Sequence, residues 1–366
     1  MSIYLMMIFM TVIFSMLAMQ CSTIGKNNPN KRKPGKIFVF IIIIVWCTIY
    51  AFRYRVGTDF GTYYRFFNRI VTDNLTLAET IQEQRDALFG YIAYFSAKVF
   101  EGEWLGFAYL CAVLIYTPIM IVIYKKSDDF LSSSLLYIFT MTYFSGFNGV
   151  RQAIAIAFLS LAYYCGLKEK RYWIYLIFVL LAFGFHSTVF IIVPFQLLSL
   201  KSVTSKSFKI SIIVLLFSYL FLWNIWSVII GFLETIGQSK LASDYAELAE
   251  NGSSLLRLIV STLPPFLGLI YRKKLIKKYP DIDSDIIMIT ISSIFLLFSL
   301  KNWIFARISG YFNVVLIMFL PKLNYIFAEN SRQIGRLLIL GLYFCYMILL
   351  LLHGGGHLLP YRFIEF

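Results

Sequence analysis

Acidic side chains are scarce in this sequence, 19 Asp and Glu among 366 residues, and charged residues of either sign make up only 14%. That scarcity excludes an ordinary soluble globular domain, in which about a quarter of residues are charged. Histidine is rarer still at three, and the five cysteines (Cys21, Cys47, Cys111, Cys165 and Cys345) fall in or at the ends of apolar runs. Their spacing fits neither a disulfide framework nor a zinc site, so they read as packing residues. Also missing are a Walker-type glycine loop, a Gly-x-Ser-x-Gly elbow and any nucleic-acid signature, which leaves no basis for nucleotide hydrolysis, serine acyl transfer or nucleic-acid binding. Met1–Met19 lacks a basic n-region and a small-residue cleavage site and is expected to be a membrane helix, not a secretory signal. Gln20 likewise spoils Leu17–Cys21 as a lipoprotein box.

What is abundant is apolar: 59% of residues are hydrophobic, and the mean hydropathy is +0.75. Apolar stretches recur along the whole chain at close to the roughly 20 residues needed to cross a bilayer. They lie at about 2–20, 37–52, 104–124, 131–147, 149–167, 172–185, 187–200, 208–231, 255–271, 285–300, 308–320 and 334–352. The expected fold class is therefore all-α, a polytopic integral membrane protein with about 12 transmembrane helices. The expected organisation is a single transmembrane domain over 1–366 with external segments at about 53–103 and 232–254. Residues 77–100 are expected to form an outer-surface helix, because Leu77, Ile81, Leu88, Ile92, Phe95 and Val99 make one apolar stripe opposite Glu79, Gln82, Glu83 and Asp86.

Lys and Arg cluster in every second connection: Lys26 to Lys36, Lys125-Lys126, Lys168 to Arg171, Lys201 to Lys209, Arg272 to Lys278 and Lys322 to Arg336. The positive-inside rule puts these loops in the cytoplasm and both termini outside. The net charge of +14 is mostly this inward excess. The outward cations differ in kind, being Arg53, Arg55, Arg65, Arg69, Arg85, Arg151, Arg257, Arg307 and Arg362 against Lys98, Lys240 and Lys301. A guanidinium grips phosphate or carboxylate with two aligned hydrogen bonds, which points to an anionic ligand outside. Alternatively these arginines snorkel to headgroups or pair with Glu79, Glu83, Asp86, Glu101 and Glu103.

Four segments carry chemistry, and all fall on the outer side. In Arg53-Tyr54-Arg55-Val56-Gly57-Thr58-Asp59-Phe60-Gly61-Thr62-Tyr63, Gly57 is expected to break one helix and Thr58 to cap the next, with Asp59 in its first turn and Tyr63 one turn on. The others are Asn148-Gly149-Val150-Arg151-Gln152 with Phe185-His186-Ser187 after the next hairpin, Arg307-Ile308-Ser309-Gly310-Tyr311-Phe312, and Leu359-Pro360-Tyr361.

In that order these motifs resemble the EpsG/Wzy-type family of polysaccharide polymerases over roughly residues 50–320. The resemblance implies a glycosyltransferase-C-like helical architecture in the bacterial inner membrane. It also implies an active site facing the periplasm or exterior, where undecaprenyl-diphosphate-linked oligosaccharide repeat units are joined, as in O-antigen or exopolysaccharide biosynthesis. Expected catalytic residues are Asp59 and His186, either of which is placed to act as base on an acceptor hydroxyl. Arg55, Arg151 and Arg307 are expected to bind substrate diphosphate, and Arg53, Tyr63, Gln152 and Tyr311 to bind other parts of the substrate. No metal and no cofactor is expected. Expected partners are the undecaprenyl-diphosphate-linked glycan, membrane lipid and a chain-length-regulating membrane protein, with no nucleic acid.

Two motifs compete. Asp281-Ile282-Asp283-Ser284-Asp285 has a metal-diphosphate pattern but precedes a span on the basic side, where Asp283 or Ser284 serves as an N-cap. His353 and His357 are four apart but separated by three glycines that deny them a helix. Two other functions share the composition, a lipid-linked oligosaccharide flippase and a glycan ligase. A flippase would line a central cavity with charge at membrane depth, often between repeated halves.

Overall fold

The structure, a computed structural model, describes residues 1–25, 28–84, 86–221, 227, 228, 231, 235 and 254–364. Arg85 and nearly all of the 232–254 segment, with Glu234, Lys240, Asp244, Glu247 and Glu250, lie outside the described residues. Apolar runs become helices because hydrocarbon offers a backbone N–H or C=O no partner except its own chain.

The chain divides into two compact units, Met1–Phe190 with Asn330–Phe366, and Ile191–Glu329. The first holds α1 (Ser2–Gln20), α2 (Lys36–Ala51), α3 (Phe60–Thr72), α4 (Leu77–Gln84), α5 (Ala87–Val99), α6 (Trp104–Lys126), α7 (Phe130–Phe139), α8 (Val150–Leu161) and α9 (Tyr172–Phe185). A short antiparallel hairpin, β1 (Thr23–Gly25) with β2 (Asn28–Lys33), interrupts the otherwise helical order. The second unit takes over inside α10 (Val189–Leu198) and continues through α11 (Lys206–Leu220), α12 (Leu255–Ile270), α13 (Arg272–Lys278), α14 (Ile282–Ser299), α15 (Ile304–Gly310) and α16 (Asn313–Leu323). The chain then returns to the first unit with α17 (Arg332–Leu352).

In the first unit α2 packs on α1 and α6, α6 on α8, α8 on α9, and α7 on α1 and α17. Its centre is aromatic: the Trp46 ring meets Tyr137 at 5.1 Å, Tyr143 at 5.9 Å and Tyr116 at 6.2 Å, and its indole N–H donates to Thr11. Phe9, Phe40, Trp173 and Leu337 stand exposed on the outward faces, which suits side chains whose solvent is lipid. In the second unit α14 is the hub, contacted by α11, α12, α13, α15 and α16.

Among the described residues five helices are long and apolar enough to cross a membrane, or up to seven if the bent pairs α12–α13 (79°) and α15–α16 (57°) each count as one span. The protein is thus a polytopic helical membrane protein. Each of the twelve expected stretches contains a helix, but several are short: α9 has 14 residues, roughly 21 Å at about 1.5 Å per residue, against about 30 Å of hydrocarbon.

Within each unit, polar contacts tie neighbouring helix ends together. In the first unit Lys126 pairs with Glu169, and Arg336 pairs with Asp129 at 2.8 Å, so three of the basic connections meet. In the second, Arg272 binds Asp283, which also accepts from Ser202; Lys322 binds Asp285; and Lys274 donates to the Ile326 carbonyl. Asp283 and Asp285 of the Asp281–Asp285 motif are therefore tied to separate cations. At the opposite helix ends the Arg53–Asp59 loop meets Asn148 and the tail, as described below.

The expected single helix over 77–100 is two. Thr76 and Glu79 form a reciprocal capping box at the start of α4, and the helix breaks before α5, whose N-cap is Asp86. The face that packs is also not the expected stripe. α5 buries Phe89, Gly90, Ala93, Ser96 and Ala97 while Phe95 and Val99 stay exposed. A Cβ on Gly90 would come within 2.8 Å of Ile81 Cα, so small residues let α4 approach. Asp86, placed by periodicity on the polar face, is only 7% exposed.

Candidate functional site

The site begins where α2 ends. Arg55 (φ +53°) and Gly57 (φ +96°) turn the chain sharply, and Gly57 donates its N–H to the His357 carbonyl. Asn148 holds this turn to the tail, accepting from the Thr58 N–H at 2.7 Å and donating to the Gly356 carbonyl at 3.1 Å. A Cβ on Gly57 would stand 2.5 Å from the Phe147 carbonyl oxygen. Gly57→Ala is therefore expected to lower stability by about 2–3 kcal/mol, seen as a lower unfolding temperature in detergent, whereas Gly61→Ala has room and leaves it near wild type.

The N-cap of α3 is Asp59, one residue later than the expected Thr58, and its carbonyl accepts from the Thr62 and Tyr63 N–H groups. Tyr63 follows one turn later and is buried. Burial pushes its phenol above the ordinary tyrosine range against the opposing pull of the neighbouring Arg151. The phenol therefore stays protonated at neutral pH and is available as a donor.

Arg151, in the first turn of α8, donates through Nη1 to the Gln84 carbonyl at 2.6 Å and to Asp86 Oδ2 at 2.9 Å. The same Oδ2 lies 3.2 Å from Nδ1 of His186, just past the end of α9. Three helix termini thus converge on one buried carboxylate. The structure brings Tyr63, Arg151 and His186 together around Asp86, with Asp59 near enough to act on the Tyr63 phenol. Asp86 holds the imidazole with Nδ1 facing the acid, which leaves Nε2 as the nitrogen able to accept a proton. Asp86 was not among the expected site residues; the signal available was an Asp ahead of Ala87-Leu88-Phe89, a helix-cap position.

The other expected residues lie elsewhere. Arg53 is 2% exposed and committed to ring faces, its guanidinium 3.6 Å from the Tyr50 centroid and 4.6 Å from that of Phe147. Arg55 is exposed, 5.3 Å above Tyr54. Gln152, beside Arg151 on α8, is half-buried. Arg69 pairs with Asp73 and Glu83, as headgroup-independent pairing would have it. In the second unit Arg307 lies in the last turn of α15, exposed and 4.6 Å over the Trp303 ring, and Tyr311 is buried. Among the described residues no group of three or more His, Cys, Asp or Glu side chains is arranged to hold a metal ion.

A model of the EpsG family matches residues 36–363 of the chain. No curated protein and no solved structure matches it.

Proposed function

This chain belongs to the EpsG family, and from that premise we propose that it is a polysaccharide polymerase, a glycosyltransferase joining undecaprenyl-diphosphate-linked repeat units at the outer face of the bacterial inner membrane. The proposal includes twelve membrane segments, some of them short, in one glycosyltransferase-C-like domain, with residues 53–103 and 232–254 outside. The observation that carries it is the Asp86 cluster, in which an acid orients a histidine beside an arginine at the helix ends opposite the basic loops.

In the proposed reaction an acceptor sugar hydroxyl attacks the anomeric carbon of the donor glycan. A new C–O bond forms as the bond from that carbon to the diphosphate oxygen breaks. The hydroxyl proton passes to His186 Nε2, and undecaprenyl diphosphate leaves with the bonding electrons. A diphosphate is a weakly basic leaving group, so stabilising its charge matters more than protonating it. Arg151 and Arg55 would supply that stabilisation and the protonated Tyr63 a further hydrogen bond, and Arg307 is proposed separately as a diphosphate contact of the second unit. Asp59 remains a second candidate base near the same phenol.

Deleting the gene separates this reading from its rivals. A polymerase mutant retains single repeat units on lipid and loses the polymer, whereas a flippase or ligase mutant loses all surface glycan. Orientation is tested separately. Cysteines placed at Lys33, Lys170, Lys274 and Arg332, in a chain freed of its five native cysteines, are expected to resist a membrane-impermeant thiol reagent applied from outside. Those at Asp59, Glu247 and Tyr361 are expected to react, and external labelling at 274 would reverse the topology.

A further inference from the structure

A cleft of about 940 Å³ opens in the first unit, away from the Asp86 carboxylate, lined by Tyr54, Tyr64, Asn68, Glu103, Trp104 and Arg362 among others. It is assembled from sequence-distant segments that the backbone ties together: the Tyr54 N–H donates to the Arg362 carbonyl, and the Ile364 N–H to that of Phe52. Its rings brace one another. Tyr64 stacks on Phe60 at 5.6 Å and meets Trp104 edge to face at 5.2 Å, and Tyr54 meets Phe60 at 5.8 Å. Tyr64 and Asn68 are one turn apart on α3, while Tyr63 on the neighbouring face is near Arg151. A single helix therefore separates the cleft from the arginine cluster.

The lining identifies the ligand class. One acid, Glu103, and one base, Arg362, leave it without a charge bias, so it suits neither a polyphosphate nor a cation. Aromatic faces offer apolar contact, while Asn68, Glu103, Arg362 and two phenols offer both donors and acceptors at the rim. Its volume suits an oligomer better than a single ion. We propose that this cleft binds neutral pyranose rings of the glycan, with C–H faces against Tyr54 and Tyr64 and hydroxyls on Asn68, Glu103 and Arg362. The proposal rests on the polymerase reading for its physiological ligand, but its test does not.

The test is saturation-transfer NMR on the full chain in nanodiscs, with methyl glycosides of glucose, galactose, N-acetylglucosamine and N-acetylgalactosamine as probes and inorganic diphosphate as competitor. Saturation is expected to reach the ring protons of at least one glycoside with wild type and with Tyr64→Phe, which keeps the aromatic face. It is expected to weaken on the order of tenfold in Tyr64→Ala, the scale of one lost aromatic contact. Asn68→Ala, a smaller change, is expected to weaken it as well, both variants being compared at equal helicity and unfolding temperature. Arg151→Lys is expected to keep the sugar contact. Contact with no glycoside, equal contact in Tyr64→Ala and Asn68→Ala, or displacement by diphosphate overturns the proposal. Should the deletion strain keep its polymer while the purified protein still contacts a glycoside, the polymerase reading fails and the cleft assignment stands.

Discussion

Asp86→Asn is expected to slow polymerisation by about 10²–10⁴-fold, the range associated with losing a positioned general base, at a protein level close to wild type. The substitution keeps shape and removes charge. Asp86 Oδ2 accepts from both Arg151 and His186, whereas an asparagine side chain has one accepting oxygen and turns an N–H₂ toward whatever faces its other end. If the oxygen stays with Arg151 and the amide donates toward His186, Nδ1 must accept, and the proton moves to the nitrogen needed for catalysis. If the oxygen stays with His186, Arg151 loses its anionic partner. The Arg151 side chain is 29% exposed, so water softens that loss and folding survives. His186→Ala should cost a similar factor, and the double variant little more than either alone, because the two residues act through one proton transfer. Measured single-turnover rates that multiply in the double variant, or near-normal rates in either single variant, would show that Asp86 and His186 do not form a catalytic pair.

What the sequence could and could not disclose follows from the range of each signal. The long apolar helices were legible because each is encoded by its own run, and the connections rich in Lys and Arg could be grouped by charge alone. The Lys126–Glu169 pair and the Ser202–Asp283 hydrogen bond join loops that charge alone had placed on one side. Tyr63, Arg151 and His186 could be nominated from short motifs. Asp86 could be named only among five acids available to pair with the outward arginines, since its partners lie 65 and 100 residues away and a single sequence holds no record of such pairings. Periodicity misled at the same place: it treated 77–100 as one helix, and a break before Ala87 rotates every later residue relative to the stripe. Arg53 illustrates a different limit. An outward arginine reads as an anion grip, yet a guanidinium is also content between aromatic faces, and Tyr50, Phe60 and Phe147 supply them. Which of the two applies depends on tertiary neighbours.

Arg151→Lys tests whether the arginine grips an anion or merely carries charge. In the structure Nη1 of Arg151 already serves the Gln84 carbonyl and Asp86, and the guanidinium is close enough to the Tyr63 phenol to act on its charge. One planar group thus spans several partners while its remaining donors can meet a phosphate. A lysine ammonium is a single point: it can pair with Asp86, or reach toward a diphosphate, but it cannot hold the phenol, the acid and the anion in a fixed plane. Loss of about 3 kcal/mol of transition-state stabilisation corresponds to a fall on the order of a hundredfold, and that is the expected drop in polymerisation rate at matched membrane level. Arg307→Lys is expected to fall comparably, because its guanidinium, exposed and lying over Trp303, has the geometry to present an edge to a ligand while the indole supports its plane. A snorkelling role predicts the opposite, since lysine also reaches the interface on a long apolar stem. A positioning role for Arg151 alone predicts an intermediate result: Lys would hold Asp86, keep the apparent affinity for lipid-linked donor, and lower only the turnover number. The clamp requires both kinetic constants to suffer, and near-normal glycan ladders from both lysine variants would eliminate it.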